Sequence, residues 1–259
     1  MELDEEYISN PEYETYYARL SNLRRRIVVS LPLRPGMRVL DLGTGEGFFA
    51  IEAAKWCGGI HITGIDISQP SIRHARKNLK RENLQNRVTI IEMDSASMDF
   101  ADAEFDMAIN FTGLEDIHMT RGRAGVQQTF REVSRILKPY GHFSLAVMPP
   151  EEMETEAQRT EVALFSYVCN ATWLSLEEYY EMLARSDFSV VRREAYYTGK
   201  KLTSEQAKAE IRFACKNDPK IYGIETPSFE EIWGRFGEAI DGHGLGHYSK
   251  VISILAKKT

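Results

Sequence analysis

The residues best suited to chemistry lie close together early in the chain. Val39-Leu-Asp41-Leu-Gly43-Thr44-Gly45-Glu-Gly47 sets three closely spaced glycines behind a short apolar run. Glycine lets backbone approach a ligand where a Cβ would clash, and exposed N–H groups at a helix start favour anionic ligand groups. A second apolar run ends in Asp66, nineteen residues after Gly47. A carboxylate there can accept hydrogen bonds from both hydroxyls of a ribose. The expected ligand is a nucleoside at the edge of two adjacent strands. The turn is a poor dinucleotide turn: counted from Gly43, the G-x-G-x-x-G/A pattern puts Phe48 at its sixth position, where a bulky ring spoils close helix–strand packing.

Elements of alternating type must position these residues. Short apolar runs at 38–42, 60–66, 88–92, 105–110 and 143–148 read as strands, separated by helical patterns at 47–56, from Ser68 to about Arg81, and from about Gly125 to Leu137. Near-continuous apolar strands alternating with helices predict a parallel sheet covered on both faces, and right-handed crossovers make it doubly wound. Further strands are expected at 188–197 and 249–256. The fold class is therefore α/β: a Rossmann-like, doubly wound, mostly parallel seven-stranded sheet with helical lid elements. An amphipathic cap helix is expected over 11–31, with Tyr13, Tyr17, Leu20, Ile27 and Leu31 near one face. Residues 151–174 and the insertion 198–247 read as lid, and Ser175-Leu-Glu-Glu178 as a capping box opening a helix. The reading is one domain over 1–259, with the cofactor-binding core at 35–150.

Asp41-Leu-Gly-Thr-Gly-Glu-Gly47, Asp66, Met93-Asp94-Ser95 and Phe105-Asp106, in that order, resemble motifs I, II and III of the class I S-adenosylmethionine-dependent methyltransferases. Arg135-Ile-Leu-Lys-Pro-Tyr-Gly-His142 is similar to the family's R-x-L-K-P-G-G turn, with Tyr140 replacing the usual first glycine. The resemblance implies S-adenosylmethionine as cofactor and S-adenosylhomocysteine as product. It further implies that Gly43 and Gly45 lie against the methionine part of the cofactor, with Thr44 and Gly47 in the same cofactor-binding turn and Asp41 toward the amino group, directly or through water. Asp66 would hold the ribose hydroxyls and Ile67 pack on the adenine. Asp94 would accept from the exocyclic amine, the Ser95 N–H would meet a ring nitrogen, and Asn110 would border cofactor and substrate. Read from the residues alone, the lesser alternatives are that Asp41 caps or stiffens the glycine turn and that Asp94 caps Ser95–Met98.

Methyl transfer from a sulfonium needs mainly proximity and orientation; a base is required only where the nucleophile must lose a proton. The segment Asn110 to His118, read as a loop following the fourth strand, is where a base is expected. His118 is the candidate because an imidazole titrates near neutrality. No N-P-P-Y/F or D-P-P-Y sequence stands there, which counts against adenine or protein-glutamine acceptors.

Composition sets the remaining bounds. With 32 Lys+Arg against 38 Asp+Glu the net charge is −6, which argues against nucleic-acid binding. Arg24-Arg25-Arg26 reads as a solvated helix face. Cys57, Cys169 and Cys215 form no C-x-x-C pair, and His243 and His247 sit in a glycine-rich turn, so no metal is expected. No apolar run long enough to span a membrane occurs, and the acidic N-terminal residues carry no secretory signal. A cytoplasmic enzyme acting on a small molecule, monomeric or homodimeric, is the expectation. The alternatives are an RNA or protein methyltransferase and a non-catalytic nucleoside-binding protein.

Overall fold

The computed structural model describes residues 20–170 and 173–259. Tyr13 and Tyr17 of the expected cap helix lie outside them. Its described part is α1 (Ser21–Ser30).

Strands β1 (Arg38–Leu42), β2 (His61–Asp66), β3 (Val88–Glu92), β4 (Phe105–Phe111), β5 (Leu137–Val147), β6 (Phe188–Tyr197) and β9 (Lys250–Lys258) form one sheet in the order β3-β2-β1-β4-β5-β9-β6. Pairings from β3 through β5 are parallel, and β9 runs antiparallel between β5 and β6. The central strands are apolar on both faces because both are covered. On one side α1, α2 (Phe48–Trp56) and α3 (Gln69–Arg81) pack through Leu23, Ile27, Phe49, Ile72 and Leu79. On the other, α4 (Leu114–Ile136) and α6 (Leu176–Ala184) pack through Phe130, Val133, Tyr179 and Met182.

β1 has β2 on one side and β4 on the other, so the chain reverses direction across the sheet there. The crevice outside the carboxyl ends of parallel strands opens at such a switch point. Both the glycine turn after β1 and the start of α4 after β4 face it.

Two local expectations are corrected. α4 begins at Leu114 rather than near Gly125, so Glu115 to His118 are helical and not loop. Gly122 (φ 64°, ψ −175°) breaks the helix into two runs, and that break is why periodicity revealed only the second. The strand expected at 143–148 starts at Leu137 instead. Its Tyr140 takes φ 63°, the left-handed conformation suited to the glycine that the family turn carries there.

The lid is built from α5 (Glu156–Val168), α7 (Ser204–Tyr222) and α8 (Phe229–His243), with a two-stranded sheet of β7 (Lys201–Leu202) and β8 (Leu245–Gly246). It has an apolar cluster of its own, including Leu164, Ile211, Ile232, Phe236 and Leu245. All three helices open with a capping box: Thr155 with Gln158, Thr203 with Gln206, Ser228 with Glu231.

Candidate active site

The turn after β1 bends through three left-handed glycines, Gly43 (φ 59°), Gly45 (φ 53°) and Gly47 (φ 80°). It lies tightly on β2. A Cβ at Gly64 would stand 2.7 Å from Thr44 Oγ1, so a glycine mid-strand is what admits the turn. The Thr44 hydroxyl donates to Asp41 Oδ2 at 2.6 Å. Burial pushes the Asp41 carboxyl up to about 7, against the pull of the Thr44 bond. The Arg24 guanidinium lies over the rings of Phe48 and Phe111, 5.1 and 5.2 Å from their centroids. Of the three consecutive arginines expected to be solvated, Arg24 is buried, while Arg25 and Arg26 are exposed.

Asp66 closes the turn from β2. Its Oδ2 accepts from the Gly45 N–H and its Oδ1 from the Ser68 N–H, each at 2.8 Å. Burial raises its pKa against those two bonds. A carboxylate offers about four lone-pair directions, so Asp66 keeps room to accept from a further donor. Asp94 Oδ1 caps the following turn by accepting from the Ala96 N–H, and Oδ2 pairs with Arg121 at 2.5 Å. Ser95 is buried, its hydroxyl 3.2 Å from Thr129 Oγ1.

Two cavities meet along Gly43, Gly45, Ser71, Gly113 and Asp116. The smaller, about 100 Å³, is lined by Asp66, Ile67, Asp94 and Ser95. The larger, about 280 Å³, runs from Asp41 and Thr44 to the lid, where Phe111, Phe165, Trp173 and Tyr248 give it aromatic walls. Eight of the ten residues expected to bind cofactor thus line one continuous space.

The other two do not. Gly47 caps α2 and packs against Ala75. Asn110 is fully buried: its amide nitrogen donates to the Leu42 carbonyl at 2.7 Å, and its carbonyl accepts from the Gly113 N–H at 3.3 Å. It therefore ties the end of β4 to the end of β1. His118 lines neither cavity. Burial lowers its pKa, and the charges it feels are Glu178 and Arg123, on the α6 side of α4. About three helical turns precede the expected start near Gly125, and His118 lies within them.

A family of sequences described as "Methyltransferase domain" matches residues 33–208. The chain belongs to the class I S-adenosylmethionine-dependent methyltransferases. This methyltransferase is 29% identical over 242 residues to 27-O-demethylrifamycin SV methyltransferase of Amycolatopsis mediterranei, covering 91% of this chain and 84% of that one. A putative methyltransferase from Bacillus halodurans shares the fold, with TM-score 0.66 and 16% identity over 91% of this chain and 98% of that one. So does the [4+2]-cyclase SpnF, with TM-score 0.63 and 21% identity over 92% and 80%. A cyclase and a methyltransferase on one fold show that the fold alone does not fix the reaction; here the family match does.

The residues fit S-adenosylmethionine. The glycine turn keeps side chains away from its path, and nothing stands within 4 Å of where a Cβ on Gly45 would lie. The smaller cavity is lined by the carboxylate residues Asp66 and Asp94.

Sequence reasoning did not single out Glu161 of α5, Glu210 and Asp218 of α7, or Tyr248 on the lid side of the larger cavity, and it took His247, between β8 and β9, for part of a glycine-rich turn. Burial raises Glu161 to about 8 and Glu210 to about 7, and lowers His247 to about 3. Burial likewise raises Asp218 to about 7, with Glu210 adding to the shift. They lie 100 to 200 residues beyond the glycine turn, and no spacing rule joins them to it. Among the described residues no group of His, Cys, Asp and Glu is arranged to hold a metal ion. None of their helices is long and apolar enough to cross a membrane.

Proposed function

We propose that this enzyme transfers the methyl group of S-adenosylmethionine to a small-molecule acceptor enclosed between the glycine turn and the lid. The observation that carries this reading is the junction of the two cavities at Gly43, Gly45, Gly113 and Asp116. One cavity has nucleoside chemistry and the other has aromatic walls, so a cofactor bound along the turn would present its reactive end to the second. In this reading Asp66 holds the ribose, Ile67 covers the adenine, and Asp94 and the Ser95 N–H take its polar edge. Gly43, Gly45 and Asp41 hold the methionine part. Asn110 and Gly47 act one step back, by holding the turn in shape.

The enclosure supports a small acceptor over a macromolecule. Seven acidic residues, Asp41, Glu46, Glu115, Asp116, Glu161, Glu210 and Asp218, line the larger cavity, and a phosphate backbone would meet repulsion there. The 27-O-demethylrifamycin SV for which the Amycolatopsis relative is named is a small molecule as well. We read the chain as one domain with a lid and the enzyme as cytoplasmic.

Titration calorimetry tests the cofactor half of the proposal. S-adenosylmethionine and S-adenosylhomocysteine are expected to bind, and NADH to give no heat of binding. Binding of NADH without a response to either sulfur nucleoside would overturn it.

A further inference from the structure

Glu161 is 1% exposed. Its Oε1 accepts from the Tyr248 N–H at 2.7 Å, while Oε2 has no hydrogen-bond partner. Glu161 lines the larger cavity, and its Oε2 packs against Gly246, where a Cβ would stand only 2.7 Å away. A buried acceptor left without a donor destabilises the fold, more so when charged. A fold that carries such a group in its cavity wall gains if a ligand brings the donor.

We propose that Glu161 is the proton acceptor for an acceptor molecule that is methylated on a hydroxyl. The inference rests on the methyltransferase reading above and adds the nucleophile's chemistry to it. An alcohol or phenol holds its proton at neutral pH and needs a base as its oxygen reacts, whereas an alkene carbon brings no donor for Oε2. The aromatic walls suit an apolar body around that hydroxyl. In the reaction, Glu161 Oε2 takes the hydroxyl proton as the oxygen bonds to the methyl carbon. The sulfur–methyl bond breaks with its electron pair kept on sulfur. The products are a methyl ether, a neutral thioether and a neutral Glu161 carboxyl, which then returns its proton to water.

The surroundings set the sign of the pH dependence. His247 and Tyr248 flank Glu161. Glu210 and Asp218 of α7 and Glu115 and Asp116 of α4 share the cavity, and Arg24 of α1 is the cation among these. Burial holds the Glu161 carboxyl near 8, so its basic form, and with it turnover, increases as pH rises through that value.

The test uses the full chain with 1-naphthol and 1-naphthylamine as matched probes. Wild type is expected to methylate the naphthol and leave the amine. Glu161→Gln, which keeps an oxygen for the Tyr248 N–H, is expected to bind S-adenosylmethionine as wild type does. It should lose about a hundredfold to ten-thousandfold in kcat/KM for the naphthol, the range for a lost general base, and lose the pH dependence. Glu161→Asp retains a base and should retain the pH dependence. A second readout needs no turnover. Naphthol is a strong acid when excited, so naphthol bound to wild type with S-adenosylhomocysteine should emit as naphtholate above pH 8, and as naphthol in Glu161→Gln. Equal turnover or equal emission in the two proteins overturns the proposal. So does turnover confined to the amine, or turnover of neither probe while S-adenosylmethionine binds. Failure of wild type to bind S-adenosylmethionine would overturn the proposed function itself.

Discussion

The two ends of the ligand space are built on opposite plans. At the glycine turn, polar side chains are already engaged with the protein: Asp41 with Thr44, Asp66 with Gly45 and Ser68, Asp94 with Ala96 and Arg121, Asn110 with Leu42 and Gly113. These bonds hold the backbone in a shape that one invariant ligand can use. In the lid, Glu161, Glu210 and Asp218 face the cavity from helices with a separate apolar cluster, and burial keeps all three carboxyls far above their ordinary range. A pre-wired end and an end where Glu161 Oε2 has no hydrogen-bond partner suit a fixed cofactor and a variable acceptor.

The largest expected effect that would sharpen the contrast is at Asp66. Asp66→Ala should weaken S-adenosylmethionine binding by about 1.5–3 kcal/mol, the range for hydrogen bonds to a charged group, as read by calorimetry. Unchanged affinity would remove Asp66 from the ribose and erase the difference between the two ends.

A middle-sized effect concerns stability without ligand. Glu161 titrates at 4.5 ordinarily and at about 8 in the fold. The folded state therefore binds its proton more tightly than the unfolded chain does. The stability this group contributes is fully present below pH 4.5 and is lost as pH rises through about 8. Glu161→Gln removes that loss, so its Tm should gain on wild type more at pH 8.5 than at pH 5.5. An equal gain at both would mean that Glu161 is not the strained group described above.

The smallest effect is at His118. With its imidazole on the α6 side of α4, His118→Ala should leave turnover within about twofold of wild type across pH 6–9, where an unperturbed histidine titrates. A loss of the size expected for Glu161→Gln would move the base to the wrong side of the comparison.

The same contrast explains what could be read from the sequence. The cofactor end is a local code: Gly43, Gly45, Asp66 and Asp94 follow one another on consecutive βα units, so their spacing carries the chemistry. Sheet order follows from the alternation and the handedness of crossovers. The lid's helices were also legible, since the S/T-x-x-E/Q pattern stands at Thr155, Thr203 and Ser228 as it does at Ser175. Their convergence was not. Glu161 meets Gly246 and Tyr248 only because β9 returns between β5 and β6, a long-range pairing without a short-range signal. His118 shows the opposite case: residue type suggested a base, and about three unforeseen turns of helix set it beside Glu178 and Arg123.

The segment between β6 and β9 leaves and re-enters the sheet at one point. Tyr197 stands opposite Lys250, and the Thr198 N–H donates to the Ser249 carbonyl at 2.9 Å. Residues 199–248 are therefore a cassette with adjoining ends, of the kind that tolerates insertion and exchange because its removal leaves the flanking strands in register. A short hairpin turn can bridge the two ends. Two sister enzymes could thus trade this cassette and keep an identical sheet, so recombination at one seam is enough to change what closes over the glycine turn.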